Sequence, residues 1–432
     1  MNASIFALLL LQAAAPAPAA SPAPSSFAIT NARVVTVSGP VIERGTVLVS
    51  GGRIASVGAD VAVPEGTATI DAHGQTLYPG LIDGLTVLGL TEIGSVAGSV
   101  DTTEMGDMNP HAKAWIALQP HSDLIPVARA NGVTTALAAP NGGLVSGQSA
   151  LIRLTGSTPE EMAIKAPLAL NIEYPSGQPA FDISQLFADP ELKTFEERQK
   201  DKKKNQEKAL HRLAGLLDEA KAQAAALEGP NGAAARPDLP LQSLAPFARG
   251  QLPVIVRADD EGDIRGAVRF AGQHGLKLII AGGNDAWRCA SLLKEKDVAV
   301  LVNPERLPEH EDSPYDSAYA NAALLHEKGV RFALVTDDAS QSRNLPYQAA
   351  MARAYGLPAA DALRAITLSP AEIFGVADRL GSIEPGKQAT LVLASGDIMD
   401  GRTLVNRVWI DGVDQSLETR HTRLWKEFKD RK

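Results

Sequence analysis

The chain has 432 residues, enough for one large barrel with an appendage, and its 45% hydrophobic and 21% charged residues exclude a disordered or membrane-spanning composition. A formal net charge of -9 gives no overall cationic surface for phosphates, so nucleic acid and anionic membranes are poor partners on this count, and small molecules or proteins fit better. The single cysteine, Cys289, excludes an intrachain disulfide, and its place in WRCASLL beside Ala290 and Leu293 reads as a buried structural thiol.

Residues 1–20, MNASIFALLLLQAAAPAPAA, carry an apolar run from Ile5 to Leu11 and then an AxA-type site, Ala17 to Ala19. This pattern predicts a signal peptide cleaved near residues 19–20 and a periplasmic or secreted mature protein. The run is short of the roughly 20 apolar residues that span a bilayer, and no later stretch reaches that length. SPAPSS, residues 21–26, reads as a Pro/Ser linker. From Phe27 to Pro79 short β-runs are split by glycine turns, and matching pieces stand near the other end in ATLVLASGD (389–397) and VNRVWIDG (405–412). One small β-sandwich built from residues 27–79 and 380–415 is the prediction.

Across residues 80–379, apolar runs such as TTALAAP, LPVIVRA, LKLIIAG, VAVLVNP and RFALVTD alternate with helix-period segments. Continuous apolar strands separated by helices predict a buried parallel sheet, and at this length a TIM-like (β/α)8 barrel of the α/β class. Residues 190–228 are charged and Ala-rich with helical periodicity, which predicts a solvated helical excursion outside the barrel. Residues 416–432 are read as a C-terminal tail.

The string PGLIDGLTVLGL (79–90) resembles the end of the first barrel strand in the amidohydrolase superfamily, where a PGLIDxHxH pattern delivers two metal ligands. GVTTALAAPNGGLVSGQSALIRLTG (132–156) is similar to the second strand and loop of the imidazolonepropionase-like branch. ALRAITLSPAEIFGV (362–376), GSIEPGKQATLVL (381–393) and VNRVWIDG resemble its last helix and its return into the β-sandwich. The resemblance implies a Zn or other divalent metal at the C-terminal mouth of the barrel. Such an ion lowers the pKa of a bound water for attack on a C–N bond of a cyclic amide or peptide.

Against the ligand set that the resemblance implies, this chain departs at most positions. Leu85 and Val87 stand where the pattern has HxH, Arg257 replaces the fifth-strand histidine, and Gly282 or its neighbour replaces the sixth. Asp337 remains as the eighth-strand acid/base remnant, and Glu173 is a candidate remnant ligand on the middle strand. None of the eight histidines pairs as HxH, HxxH or HxxxH. His73, His211, His274, His326 and His421 fall at turns, helices or the tail, while His111 and His121 flank AKAWIALQ and could reach the barrel mouth; His310 is the eighth. A carboxylate without its metal needs another cation, and Arg257 can hold Asp337 bidentately while keeping its proton.

Three readings follow. The first is an exported amidohydrolase-like protein, catalytically weak or inactive, with no metal or other cofactor expected. It would serve as a structural or regulatory subunit beside an intact homologue, or as a homodimer. The second is an active hydrolase with a rebuilt oxygen site among Asp101, Glu104, Asp107, Asp259, Asp260, Glu261, Asp263, Asp337 and Asp338. The alternative for those carboxylates is helix capping and solvation. The third is a periplasmic small-molecule binding protein. SGQSA (146–150) lacks the nucleophile-elbow spacing, and no phosphate loop, dinucleotide fingerprint or CxxC occurs.

Overall fold

The structure is a computed structural model describing residues 26–176, 195–230, 236–305 and 313–431. The signal segment, all of the linker but Ser26, residues 190–194 and His310 lie outside the described residues. Five strands come first: β1 Phe27–Val34, β2 Ile42–Ser50, β3 Arg53–Gly58, β4 Ala68–Asp71 and β5 Thr76–Pro79. The next eight are β6 Leu81–Thr86, β7 Val133–Ala138, β8 Val145–Arg153, β9 Ala163–Glu173, β10 Pro253–Ala258, β11 Lys277–Gly282, β12 Ala299–Val302 and β13 Phe332–Leu334. The chain then returns through β14 Leu391–Ala394, β15 Val405–Ile410 and β16 Val413–Gln415.

The two chain ends make one β-rich domain. Its sheet runs β16-β15-β14-β5-β1-β2-β3, with β4 against β1, and the ends join where β14 pairs β5 antiparallel. Alternate residues turn inward, so Phe27, Ile29, Val47, Ile54, Leu77, Leu391 and Trp409 form its core, with Trp409 stacked on Phe27 at 5.7 Å.

β6 to β13 form a nearly closed eight-stranded barrel in sequence order. Every residue of β6, β7 and β12 is buried, which explains the unbroken apolar runs. Ile82, Leu137, Leu151, Ala169, Ile255, Ile279, Leu301 and Ala333 fill the interior. Leu81, Val133, Leu170, Val254, Val300 and Leu334 face outward into the layer shared with the helices. One strand departs from the simple repeat, because β8 runs antiparallel to both neighbours. The short Ala139–Leu144 connection cannot hold a crossover helix, and Gly142 and Gly143 turn it at φ of 82° and 68°. Across the seam between β13 and β6, the Ile82 N–H donates to the Ile366 carbonyl at 2.8 Å and the Leu334 N–H to that of Ala365 at 2.9 Å.

The charged segment is a helix, Phe195–Glu228, yet it is not wholly solvated. Leu213, Leu217 and Ala220 are buried in one stripe, and the helix packs on its neighbour Leu239–Ala248. AKAWIALQ is shorter than expected, a 3-10 turn over Ala114–Ala117. The stretch read as a tail carries a helix, Arg420–Phe428, capped by Thr419.

Trp409→Ala should destabilise the protein by about 3–5 kcal/mol, because it empties the centre of the β-rich domain. Thermal unfolding checks this, and a melting temperature equal to that of the parent would mean that the domain is not held by this ring.

Candidate functional site at the barrel mouth

The interior alternation continues up three strands and delivers three polar side chains to one end. On β10 Arg257 follows Ile255, on β9 Glu173 lies beyond Ala169, and after β13 Asp337 follows Val335. Asp337 sits at φ of 56° with its N–H donating to the Leu85 carbonyl at 2.9 Å, so the barrel seam fixes its backbone.

These three residues converge. Arg257 Nη1 donates to Asp337 Oδ2 at 2.6 Å and Nη2 to Oδ1 at 2.8 Å, the bidentate geometry that matches guanidinium to carboxylate. Arg257 Nε lies 3.4 Å from Glu173 Oε1. The side chains of Arg257 and Asp337 are 25% and 12% exposed, so water screens this pair only partly. Burial alone would weaken the guanidinium's hold on its proton. The bonds to Asp337 and the charges of Asp337, Glu173 and Asp259 more than offset that, and its pKa rises. Glu173 is raised by burial and by Asp337, with Arg257 pulling the other way.

Leu85, Val87 and Gly282 carry no metal-ligating side-chain atoms. Leu85 is buried in the interior cluster beside Ala139, Ala281 and Val335, and Val87 packs against the outer core. At Gly282, φ is 86° and an added Cβ would lie 2.2 Å from Asp259 Oδ1, so no imidazole fits there while Asp259 holds its place. The carboxylates of the rebuilt oxygen site do separate work. Asp107 pairs with Arg212 and accepts from the Leu144 N–H, and Asp260 caps the helix Glu261–His274. Glu261 pairs with Arg265, and Asp338 accepts from Ser340 and the Gln341 N–H. His111 and His121 are exposed.

A divalent metal does not fit the residues present. Both oxygens of Asp337 are engaged by a permanent cation, two positions are hydrocarbon and one has no side chain.

One residue of the site has no counterpart in the sequence reading. Asp83 is fully buried and accepts from the Thr336 N–H at 3.1 Å, Thr336 Oγ1 at 2.5 Å and Ser342 Oγ at 3.0 Å. Burial pushes its carboxyl up to about 7, with those hydrogen bonds limiting the rise. It ties β6 to the loop that carries Asp337. The only sequence signal was an ionisable residue inside an apolar run.

Arg257→Ala should cost about 3–5 kcal/mol by leaving Asp337 buried and unpaired, whereas Arg257→Met with Asp337→Asn, which keeps a residue that tolerates the positive φ, should recover most of the loss. Chemical denaturation of the single and double variants checks both, and an unaltered single variant would show the pair to be unimportant. Asp83 titrates near 3.8 unfolded and about 7 folded, so its neutral form stabilises the fold below pH 4. That contribution fades as pH rises towards 7. Asp83→Asn should flatten the stability profile over that interval, and a slope like the parent's would assign it to other groups.

Comparison with known proteins agrees with this architecture. Residues 242–415 match the amidohydrolase family. The amidohydrolase tasK of Hapsidospora irregularis is 23% identical over 386 residues, 82% of this chain, and the match spans 38% of that protein's own length. An imidazolonepropionase of Phocaeicola vulgatus is 41% identical over 83 residues, 18% of this chain and 20% of that protein. The crystal structure of an amidohydrolase from Thermotoga maritima MSB8 superposes with a TM-score of 0.77 at 27% identity, covering 90% of this chain and 99% of the other. With a barrel and end-built β-domain of this form, the chain carries an amidohydrolase-family domain over residues 242–415 and shares its overall fold with that amidohydrolase.

Proposed function

We propose that this chain is a non-catalytic member of its superfamily, exported and working as a structural or regulatory subunit beside an intact homologue. The observation that supports this reading is Arg257 gripping both oxygens of Asp337. Hydrolysis in this superfamily draws on a metal that polarises a carbonyl and ionises water. A guanidinium can neutralise the carboxylate but cannot bind or acidify water in that way, because it has no vacant coordination position. The barrel is thereby preserved as a scaffold while the reagent is removed. A pocket formerly shaped for cyclic amides or peptides could still hold a small molecule, and this is the subordinate role in the proposal.

Metal content and turnover test the reading together. The purified full chain, incubated with Zn²⁺ or Mn²⁺ and desalted, should retain far less than one equivalent by elemental analysis. It should not hydrolyse N-acyl amino acids, cyclic amides or dipeptides above the buffer rate. Stoichiometric metal together with turnover abolished by Asp337→Asn would overturn the proposal. Co-purification with a second chain that carries the complete histidine set would support the subunit role.

A further inference from the structure

The whole-chain charge conceals a local reversal. Between Arg420 and Arg431 stand five cations, Arg420, Arg423, Lys426, Lys429 and Arg431, against two acids, Glu427 and Asp430, in a protein of formal charge -9. Most of this stretch is the helix Arg420–Phe428, none of whose residues is buried. Leu424 and Phe428 lie one turn apart with Trp425 beside them, so the three share one apolar ridge. They are 38%, 38% and 64% exposed.

Two of these cations are paired, Arg420 with Asp123 and Lys426 with Glu418 at 3.0 Å, while Arg423, Lys429 and Arg431 flank the ridge. Lys429 Nζ lies 5.0 Å from the centre of the Trp425 ring and the Arg431 guanidinium carbon 4.1 Å from that of Phe428. Ammonium and guanidinium groups held over aromatic faces place charge at the level where an interfacial helix meets lipid headgroups. The helix is anchored at its start by the Thr419 and Thr422 capping box and by Arg420, which lies 3.5 Å from Asp123. The ridge is therefore presented on a fixed mount.

We infer that this C-terminal helix is a docking surface for an anionic lipid bilayer, with Leu424, Trp425 and Phe428 entering the headgroup boundary and Arg423, Lys429 and Arg431 meeting lipid phosphates. Two features favour lipid over a second protein copy. Three partly covered side chains, at roughly 150–250 Å² for a whole aromatic, offer much less than the ~800 Å² per partner of a stable interface. A fluid bilayer needs no matching surface, and its negative charge complements the helix while repelling the acidic remainder of the molecule. That repulsion orients the protein with this helix towards the membrane.

Flotation of the full chain with vesicles tests the inference, using phosphatidylcholine alone and phosphatidylcholine mixed with phosphatidylglycerol. Binding should require the anionic lipid and fall as salt rises. Arg423→Glu with Lys429→Glu should weaken it by about tenfold or more. Leu424→Ser with Trp425→Ser should weaken it comparably, and both pairs should keep the parent's melting temperature since all four side chains are exposed. The absence of flotation with anionic vesicles would overturn the inference, and so would flotation that both variants leave unchanged. A lower mass by light scattering in the apolar variant, without lipid binding by the parent, would show instead that a second copy covers the ridge.

Discussion

The ion pair between Arg257 and Asp337 is the constraint around which the barrel mouth is arranged. A carboxylate at the end of a buried strand needs a positive charge close by, since an unpaired ion in such a place costs several kcal/mol. The guanidinium supplies that charge in a fixed planar geometry, and Glu173 adds a second negative neighbour on its Nε side. The same Asp337 closes the barrel seam through its backbone N–H to Leu85. Electrostatic neutralisation and mechanical closure thus meet at one residue, and a change in either is felt by the other.

Asp83 extends this coupling. Its carboxyl receives both the backbone and the hydroxyl of Thr336, immediately before Asp337, and the hydroxyl of Ser342 on the same loop. Thr86 Oγ1 donates to the Asp338 carbonyl at 3.0 Å, so two residues of β6 hold the segment that presents Asp337. The first and last strands of the barrel are therefore joined through side chains where a full backbone ladder is missing. Buried polar groups that satisfy one another in this way fix a single arrangement more firmly than apolar contacts do.

Much of this was legible in the residues, and the limits have physical causes. Strands buried on both faces leave unbroken apolar runs, so LPVIVRA, LKLIIAG and VAVLVNP marked β10, β11 and β12 directly. Arg257, Glu173 and Asp337 were singled out through the family resemblance, at the ends of such runs. Antiparallel β8 was not, because a strand's own pattern carries no direction and only the glycine-rich connection before it hints at a hairpin. Asp83 was hidden because its partners Thr336 and Ser342 lie some 250 positions away, and no local signal links them. The docking of Phe195–Glu228 rests on Leu213, Leu217 and Ala220 amid many charges, a stripe too sparse to distinguish from a solvated helix by period alone.

The residues around the ion pair are also packed against one another. Gly282 lacks a side chain because Asp259 occupies that space, and Asp259 contributes charge to Arg257. Leu85 completes the apolar layer under the mouth, packed with Ala281 and Val335. An imidazole at Leu85 or a side chain at Gly282 would thus enter a place already filled, while both oxygens of Asp337 stay engaged by Arg257. Neighbours that share partners do not act additively. For that reason the barrel mouth is better understood as one coupled packing than as a set of independent positions.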